Sequence, residues 1–407
     1  MKILFLSLLN IEEINNPGIY TDLIREFRNY GHDMTVVGPY ERRENKETIF
    51  FRNEGIDFLQ IKIGDITKTN KFKKGISILQ LEYLYLKAIK KYIKKNDFDL
   101  IIYTTPPITF ERVIKYLKRK NLNAKTYLLL KDIFPQNAVD LGYFSKLNPI
   151  YHYFRFKEKR LYKQSDRIGC MTINNLNYIL KNNNYLKPNR IEVCPNTITI
   201  RKRTFFKESK NMVREKYNLP LDKTIYIYGG NLGKPQGVDF LCKVLLRSMD
   251  HDNMYFLIVG SGTEYKKLQT FILNNKIKNT KLIPQMSRLD YEEVVYSSDV
   301  GMIFLDHKFT IPNFPSRILS YMQASLPILA ATDCISDLSE IIEGNKLGQW
   351  CKSDDVETFY LKSQKFLDKD YSEKIGMNSN NFLENNYSSL NAVNIILGKQ
   401  KEKEKVV

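Results

Sequence analysis

The sequence predicts an α/β protein of two doubly wound, Rossmann-like domains facing a central cleft. Three observations carry this. Short, fully apolar segments alternate with helical ones along the whole chain. The alternation is interrupted by one polar, basic stretch at 201–210, which reads as a linker. The 407 residues suffice for two or three domains at roughly 100–200 residues each. Strands alternating with helices call for parallel pairing in a sheet covered on both faces. The expected divisions are a first domain at 1–200, a second at 201–385, and a final helix with a disordered tail at 386–407.

In the first domain, Lys2–Leu9 reads as a buried strand, followed by a loop with Pro17 and Gly18 and a helix over Ile19–Asn29 that ends near Gly31. Met34–Val37 is the next strand. Ile76–Ile93 carries apolar residues at helical spacing with a lysine-rich opposite side. Phe98–Tyr103, Ala124–Lys131, Ser165–Cys170 and Ile191–Cys194 are further strands, with a helix at Asn174–Leu180. The second series has strands at Thr224–Tyr228, Tyr255–Val259, Lys281–Ile283, Val300–Phe304 and Ile328–Ala331, a helix from Val238, and closing helices around Val356–Leu367, Tyr371–Asn381 and Ser388–Leu397.

Composition excludes several classes. With 43% hydrophobic and 27% charged residues the chain is neither disordered nor collagen-like. No apolar run approaches the ~18–20 residues that span a bilayer, and the first residues lack the cleavage site of a signal peptide. A cytoplasmic or peripheral membrane location is expected. The five cysteines show no CxxC spacing, so neither a disulfide framework nor a zinc site is suggested. The net charge of +18 is uneven: residues 1–200 hold 34 Lys/Arg against 20 Asp/Glu, and residues 201–407 hold 29 against 25. A basic half attracts something anionic, whether nucleic acid, lipid headgroups or phosphate. Two segments could meet a membrane: Lys68–Lys95, with its basic helix face, and Tyr151–Lys163, which mixes aromatic and basic residues. Phe154, Phe156 and Leu161 could equally be core residues of a helix.

Four loops could carry chemistry. Gly229-Gly230-Asn231-Leu232-Gly233-Lys234-Pro235-Gln236-Gly237 follows an apolar strand and opens a helix. Its glycines let backbone approach an anion, and Lys234 adds a point charge. Gly260 lies in a second glycine turn, which lacks the third glycine of a dinucleotide fingerprint. Pro315-Ser316-Arg317 starts a helix with Ser316 as a candidate N-cap. A cation at that position opposes the helix dipole unless an anion sits at the same end. Lys131-Asp132 ends an apolar strand, where open α/β sheets place ligands; Asp132 could accept a substrate hydroxyl or simply cap the following turn. Asp97-Phe98-Asp99 matches a metal-binding pattern, but it precedes a strand, where Asp is an ordinary loop residue.

The combination resembles the bacterial family 4 glycosyltransferases of the GT-B fold, in particular the capsule and O-antigen branch that includes fucosamine transferases. The carriers are LLLKDIFPQNAVDLG at 128–142, LYKQSDRIGCMT at 161–172, VCPNTI at 193–198, GGNLGKPQG at 229–237 and FPSRILSYMQASLPILA at 314–330. The resemblance implies a first domain that holds the acceptor, a second that holds a nucleotide-sugar, and a final helix that crosses back to the first. It implies a retaining transfer from a nucleotide-sugar, most simply a UDP-sugar, to a lipid-linked glycan at the inner face of the plasma membrane, with no tightly bound cofactor or metal. The implied catalytic residues are Asp132, Lys234 and Arg317. The implied donor contacts are Gly229, Gly230, Asn231, Gly260, Pro315, Ser316 and Ser320, and the implied acceptor contacts are Gly18 and Tyr20. Two departures stand out: Pro312 and Ser320 replace a pair of Glu common in the family, and Asn231 and Gln236 stand where many members carry Arg and Lys. The rival readings are a GT-B nucleotide-sugar 2-epimerase and a basic nucleic-acid-binding protein. The latter lacks a recognised binding module.

Overall fold

The structure is a computed structural model that describes residues 1–67, 69, 71–94, 97–201 and 209–399. The expected linker at 201–210 and tail at 398–407 lie largely outside the described residues, as do Lys68, Lys95 and the side chains of Lys71 and Phe72. The chain forms two compact units, one of residues 1–199 with 389–407 and one of residues 200–388.

Unit 1 holds eight strands: β1 (Lys2–Leu6), β2 (Asp33–Glu41), β3 (Ile49–Asn53), β4 (Ile56–Ile63), β5 (Leu100–Thr104), β6 (Lys125–Leu130), β7 (Arg167–Cys170) and β8 (Ile191–Val193). Their order across the sheet is β3-β4-β2-β1-β5-β6-β7-β8. The pairing is parallel except at the edge, where β3 runs antiparallel to β4. This hairpin adds an antiparallel edge to the parallel pairing that the strand–helix alternation implies. Its turn places Glu54 and Gly55 at φ 49° and 79°, the left-handed backbone that two-residue hairpins require. β1 is a buried central strand, which accounts for its apolar run. The helix Ser389–Ile396 belongs to this unit: Ala392, Val393 and Ile396 join the core of the first helix, Ile19–Asn29. Asp22, 1% exposed, ties the crossing point by accepting from the Thr199 amide at 2.8 Å and from Arg25 at 3.0 Å.

Unit 2 has six parallel strands: β9 (Thr224–Asn231), β10 (Met254–Ser261), β11 (Thr280–Ile283), β12 (Val300–Phe304), β13 (Ile328–Thr332) and β14 (Gly348–Lys352). Their order is β11-β10-β9-β12-β13-β14. Successive strands therefore leave β9 to one side and return on the other. That is a topological switch point, and the crevice beyond its strand ends is where such sheets bind ligands. The Gly-rich loop follows β9, directly at this point. Below it, Tyr226, Phe256, Phe304 and Phe359 anchor the apolar core.

Candidate functional site

In unit 2, β9 runs on through Gly229 and Gly230 to Asn231, pairing there with Gly260 and Ser261 of β10. A side chain at Gly260 would lie 1.9 Å from the Gly230 carbonyl oxygen. The bare backbone of Gly260 thus makes room for the loop. Gly230 itself adopts φ +128°, a conformation that favours glycine. The loop is braced internally. Gln236 Oε1 accepts from the Gly233 amide at 3.2 Å and from Asn231 Nδ2 at 3.1 Å. The two neutral residues standing where the resemblance would place cations therefore bond to each other. Lys234 is exposed and opens the short 3-10 turn Lys234–Gln236.

Arg317 lies against this loop. A Cβ built on Gly230 would stand 3.3 Å from its Nη2, and its Cζ sits 4.4 Å from the centre of the Tyr228 ring. Its Nη1 is enclosed and has no hydrogen-bond acceptor, and no carboxylate among the described residues pairs with it. Burial works against its charge, but the tyrosine oxygens of Tyr228, Tyr321 and Tyr291 hold its pKa above the ordinary value. Tyr321 accepts the Gly229 amide at 3.1 Å, and the Tyr291 hydroxyl occupies the space a Gly229 side chain would need, 2.1 Å from that Cβ position. These three tyrosines are absent from the sequence-based site, and they box the guanidinium and the loop together.

Ser316 occupies the N-cap position of the helix Arg317–Gln323, but its side chain makes no cap bond. Ser320 is half-buried within that helix. The approach to the helix is fixed from behind: the Asn313 amide donates to Ser336 Oγ at 3.0 Å, and Ser336 donates to the Asp333 carboxylate. Pro315 completes the turn, its carbonyl accepting from the Ile318 amide.

In unit 1, Lys131 and Asp132 follow β6. The Lys131 amide donates to Thr105 Oγ1 at 3.0 Å, and its Nζ donates to the Cys194 carbonyl at 3.2 Å, bridging to the end of β8. Burial pushes the Lys131 amine down to about 8. Burial likewise pushes the Asp132 carboxyl up to about 6, against hydrogen bonds from the Asn137 side chain and the Ile133 backbone. Asn137 Nδ2 donates to Asp132 at 2.6 Å, which fixes the orientation of the amide. Its Oδ1 is left enclosed without a partner. Asn137 was missed at the sequence level, although it lies in the quoted 128–142 segment. Pro135, not Asp132, occupies the N-cap position of the helix Gln136–Asp140.

Gly18 precedes the first helix and donates its amide to Asp22 at 3.3 Å. Tyr20 is a core residue, its ring 5.5 Å from Phe5 and its hydroxyl pushed up to about 12 by burial. Asp99 accepts from the Lys2 amide at 2.7 Å, and Asp97 pairs with the Lys2 ammonium. Both carboxylates thus belong to the start of β1, at the opposite end of the sheet from Asp132. No cluster of three or more potential metal ligands occurs among the described residues, and no described helix is long and apolar enough to cross a membrane.

Residues 209–382 match the family described as glycosyl transferases group 1. Over 378 residues the chain is 22% identical to the probable glycosyltransferase WbjE of Pseudomonas aeruginosa, covering 92% of this chain and 91% of that one. Among solved structures, Anabaena HepE in complex with UDP and glucose superposes with a TM-score of 0.70 at 15% identity, covering 98% and 99% of the two chains. An E. coli structure described as trehalose-6-phosphate bound with UDP-2-fluoro glucose gives a TM-score of 0.70 at 11% identity, covering 98% of each. With its two parallel-sheet units the chain has the GT-B fold, and its second unit carries a glycosyl transferases group 1 domain: it is a glycosyltransferase.

Proposed function

We propose that the chain transfers a sugar from a nucleotide-sugar, a UDP-sugar, to a lipid-linked glycan of a surface polysaccharide such as capsule or O-antigen, with retention at the anomeric carbon. The observation that carries the donor half is Arg317: a cation beside the Gly229–Gly230 backbone, at a switch point, without a carboxylate to neutralise it. Neutral tyrosine oxygens hold the guanidinium charged, and a charge so held is free to pair with an anion. A diphosphate seated on the loop compensates the guanidinium without having to touch Nη1. The two solved structures named above hold UDP with glucose and a UDP-fluorosugar, which supports a donor of this class.

In this reading the bond from the anomeric carbon to the diphosphate breaks, and a bond from an acceptor hydroxyl forms. Charge grows on the departing phosphate, and fixed cations aimed at growing charge lower the barrier. Arg317 and Lys234 supply the charge, and the backbone at Gly229 and Gly230 supplies close approach. Asp132, with Asn137 bonded to it, is the unit 1 group suited to take a hydrogen bond from a hydroxyl. Ser320 in place of the family's Glu leaves a hydroxyl rather than a carboxylate for the nucleoside. No tightly bound cofactor is needed, and the enzyme works at the inner face of the membrane. The test is mass spectrometry of products from a panel of UDP-sugars with and without lipid-linked acceptors. Elongated acceptor supports the reading; isomerised donor without acceptor assigns the 2-epimerase instead.

A further inference from the structure

Three helices of unit 1 pack in a row, Lys71–Tyr92 against Glu111–Lys120 and Glu111–Lys120 against Pro149–Gln164. Each carries a single carboxylate: Glu82, Glu111 and Glu158. All three are buried, at 8%, 1% and 3% exposure. Each is neutralised inside the row, Glu82 by Lys157 at 2.8 Å, Glu111 by Arg160 at 2.9 Å and Glu158 by Arg155. The charges these helices show outward among the described side chains are therefore cationic, with Lys74, Lys87, Lys90, Lys115 and Lys159 exposed. The +14 of residues 1–200 is thus concentrated on one row of helices, because the carboxylates that would dilute it are turned inward.

The same helices expose apolar residues in two stripes. Ile76, Leu79 and Tyr83 are 45%, 58% and 64% exposed, and Ile150, Tyr153 and Phe156 are 51%, 41% and 53% exposed. The spacing by threes and fours puts each set along one side of its helix. The second stripe lies in the leading half of its helix, and the first runs from the leading half to just past the middle. Each of these two helices joins two parallel strands, β4 to β5 and β6 to β7. Their leading halves therefore lie at the end of the sheet where β6 delivers Asp132. Phe154 closes the connection, its ring 4.9 Å from Phe134, two residues beyond Asp132.

We propose that this row is the docking surface for a bilayer rich in anionic phospholipid, with the apolar stripes entering the headgroup boundary and the lysines on the lipid charges. Cations alone would suit any polyanion. Exposed aliphatic and aromatic side chains beside them favour a lipid interface, where such rings insert and lysine stems lie along apolar surface. The proposal rests on the reading of a lipid-linked acceptor for its purpose: the surface brings the Asp132 end of unit 1 to the plane where the acceptor's sugar begins.

The test is co-sedimentation of the full chain with vesicles of phosphatidylcholine alone or mixed with phosphatidylglycerol, at low and high salt. Binding should need the anionic lipid and weaken with salt. Lys74→Gln and Lys159→Gln should each weaken it about fivefold, the effect of ~1 kcal/mol per charge. Tyr153→Ser with Phe156→Ser should weaken it about tenfold or more, while Leu273→Ser and Leu361→Ser, exposed in unit 2, should change nothing. Equal binding to both vesicles, or unchanged binding of the unit 1 variants, overturns the proposal. So does salt-sensitive binding of an RNA or DNA duplex with none to vesicles. UDP binding to the same preparation is read in parallel. UDP bound without vesicle binding removes the docking surface alone, and vesicle binding without UDP removes the donor reading alone.

Discussion

The ends of the two sheets carry opposite chemistry. In unit 2 the switch-point loop faces the half-buried Arg317, with tyrosines around its guanidinium and no carboxylate among the described residues paired to it. In unit 1 the end of β6 carries a half-buried carboxyl held by an amide, next to a half-buried amine that bonds a carbonyl. Around Asp132 the surroundings disfavour the charge, whereas around Arg317 the oxygens of Tyr228, Tyr321 and Tyr291 favour it. The difference teaches what each is built to meet. In the proposed function the cation beside the close backbone meets the donor's anion, and the carboxyl, raised to about 6, meets an acceptor hydroxyl. The two chemistries match the two halves of a glycosyl transfer.

The largest expected effect breaks the unit 2 side. Arg317→Ala should cost about 2–4 kcal/mol of transition-state stabilisation, read as kcat/KM, with Arg317→Lys recovering part of the charge but not the planar stacking on Tyr228. Near-parental turnover in both would remove Arg317 from the site. The tyrosine box gives the next test. Gly229→Ala drives a methyl into the Tyr291 ring and should destabilise by about 1–3 kcal/mol, as overpacking does. Tyr291→Phe should not rescue it, because ring carbons as well as the hydroxyl are in the way, whereas Tyr291→Ala should. A denaturation cycle over these variants showing simple additivity would mean that the box does not close on Gly229.

The unit 1 side is sharpened by pH. Asp132 has a folded pKa of about 6 against an ordinary 3.8, so the folded state binds this proton more tightly. Its contribution to stability is therefore lost as pH rises from about 4 to about 6. Asp132→Asn should be more stable than the parent near neutral pH by about 1–3 kcal/mol, allowing for partial exposure, and equal to it below about pH 4. The parent's kcat/KM should rise with pH through about 6, and this limb should vanish in the variant. A variant less stable than the parent at neutral pH would contradict the direction of the shift. The smallest effect belongs to Lys234→Ala. The side chain is exposed, so its charge is screened and the loss should be about 1 kcal/mol or less, fading with added salt. A loss as large as that of Arg317→Ala would place the main cation on the loop instead.

Much of this was legible from residue order. The apolar runs marked the central strands, and the glycines after β9 marked the loop. Arg317 was visible because a cation at a helix start opposes the dipole. What escaped depended on contacts distant in sequence. Tyr291 and Tyr321 come from two helices far along the chain from Gly229, and no spacing announces their meeting. The β3–β4 hairpin escaped because its turn puts Glu54, a residue without the usual left-handed preference, at positive φ. β14 escaped because Gly348–Lys352 has no apolar run, only two of its five positions being buried. Asn137 sat within a quoted motif, but its role depends on which way the amide faces, and the Asp132 carboxylate decides that.

The central claim is that Arg317, with no carboxylate paired to it among the described residues, marks the donor's anion site, and thermal unfolding of the parent and Arg317→Met with and without UDP tests it most directly. Because the oxygens of Tyr228, Tyr321 and Tyr291 favour the guanidinium, the ligand-free variant should be no more stable than the parent. The stabilisation that UDP gives the parent by binding the folded state should disappear in the variant. A variant that UDP stabilises as strongly as it does the parent would contradict the account.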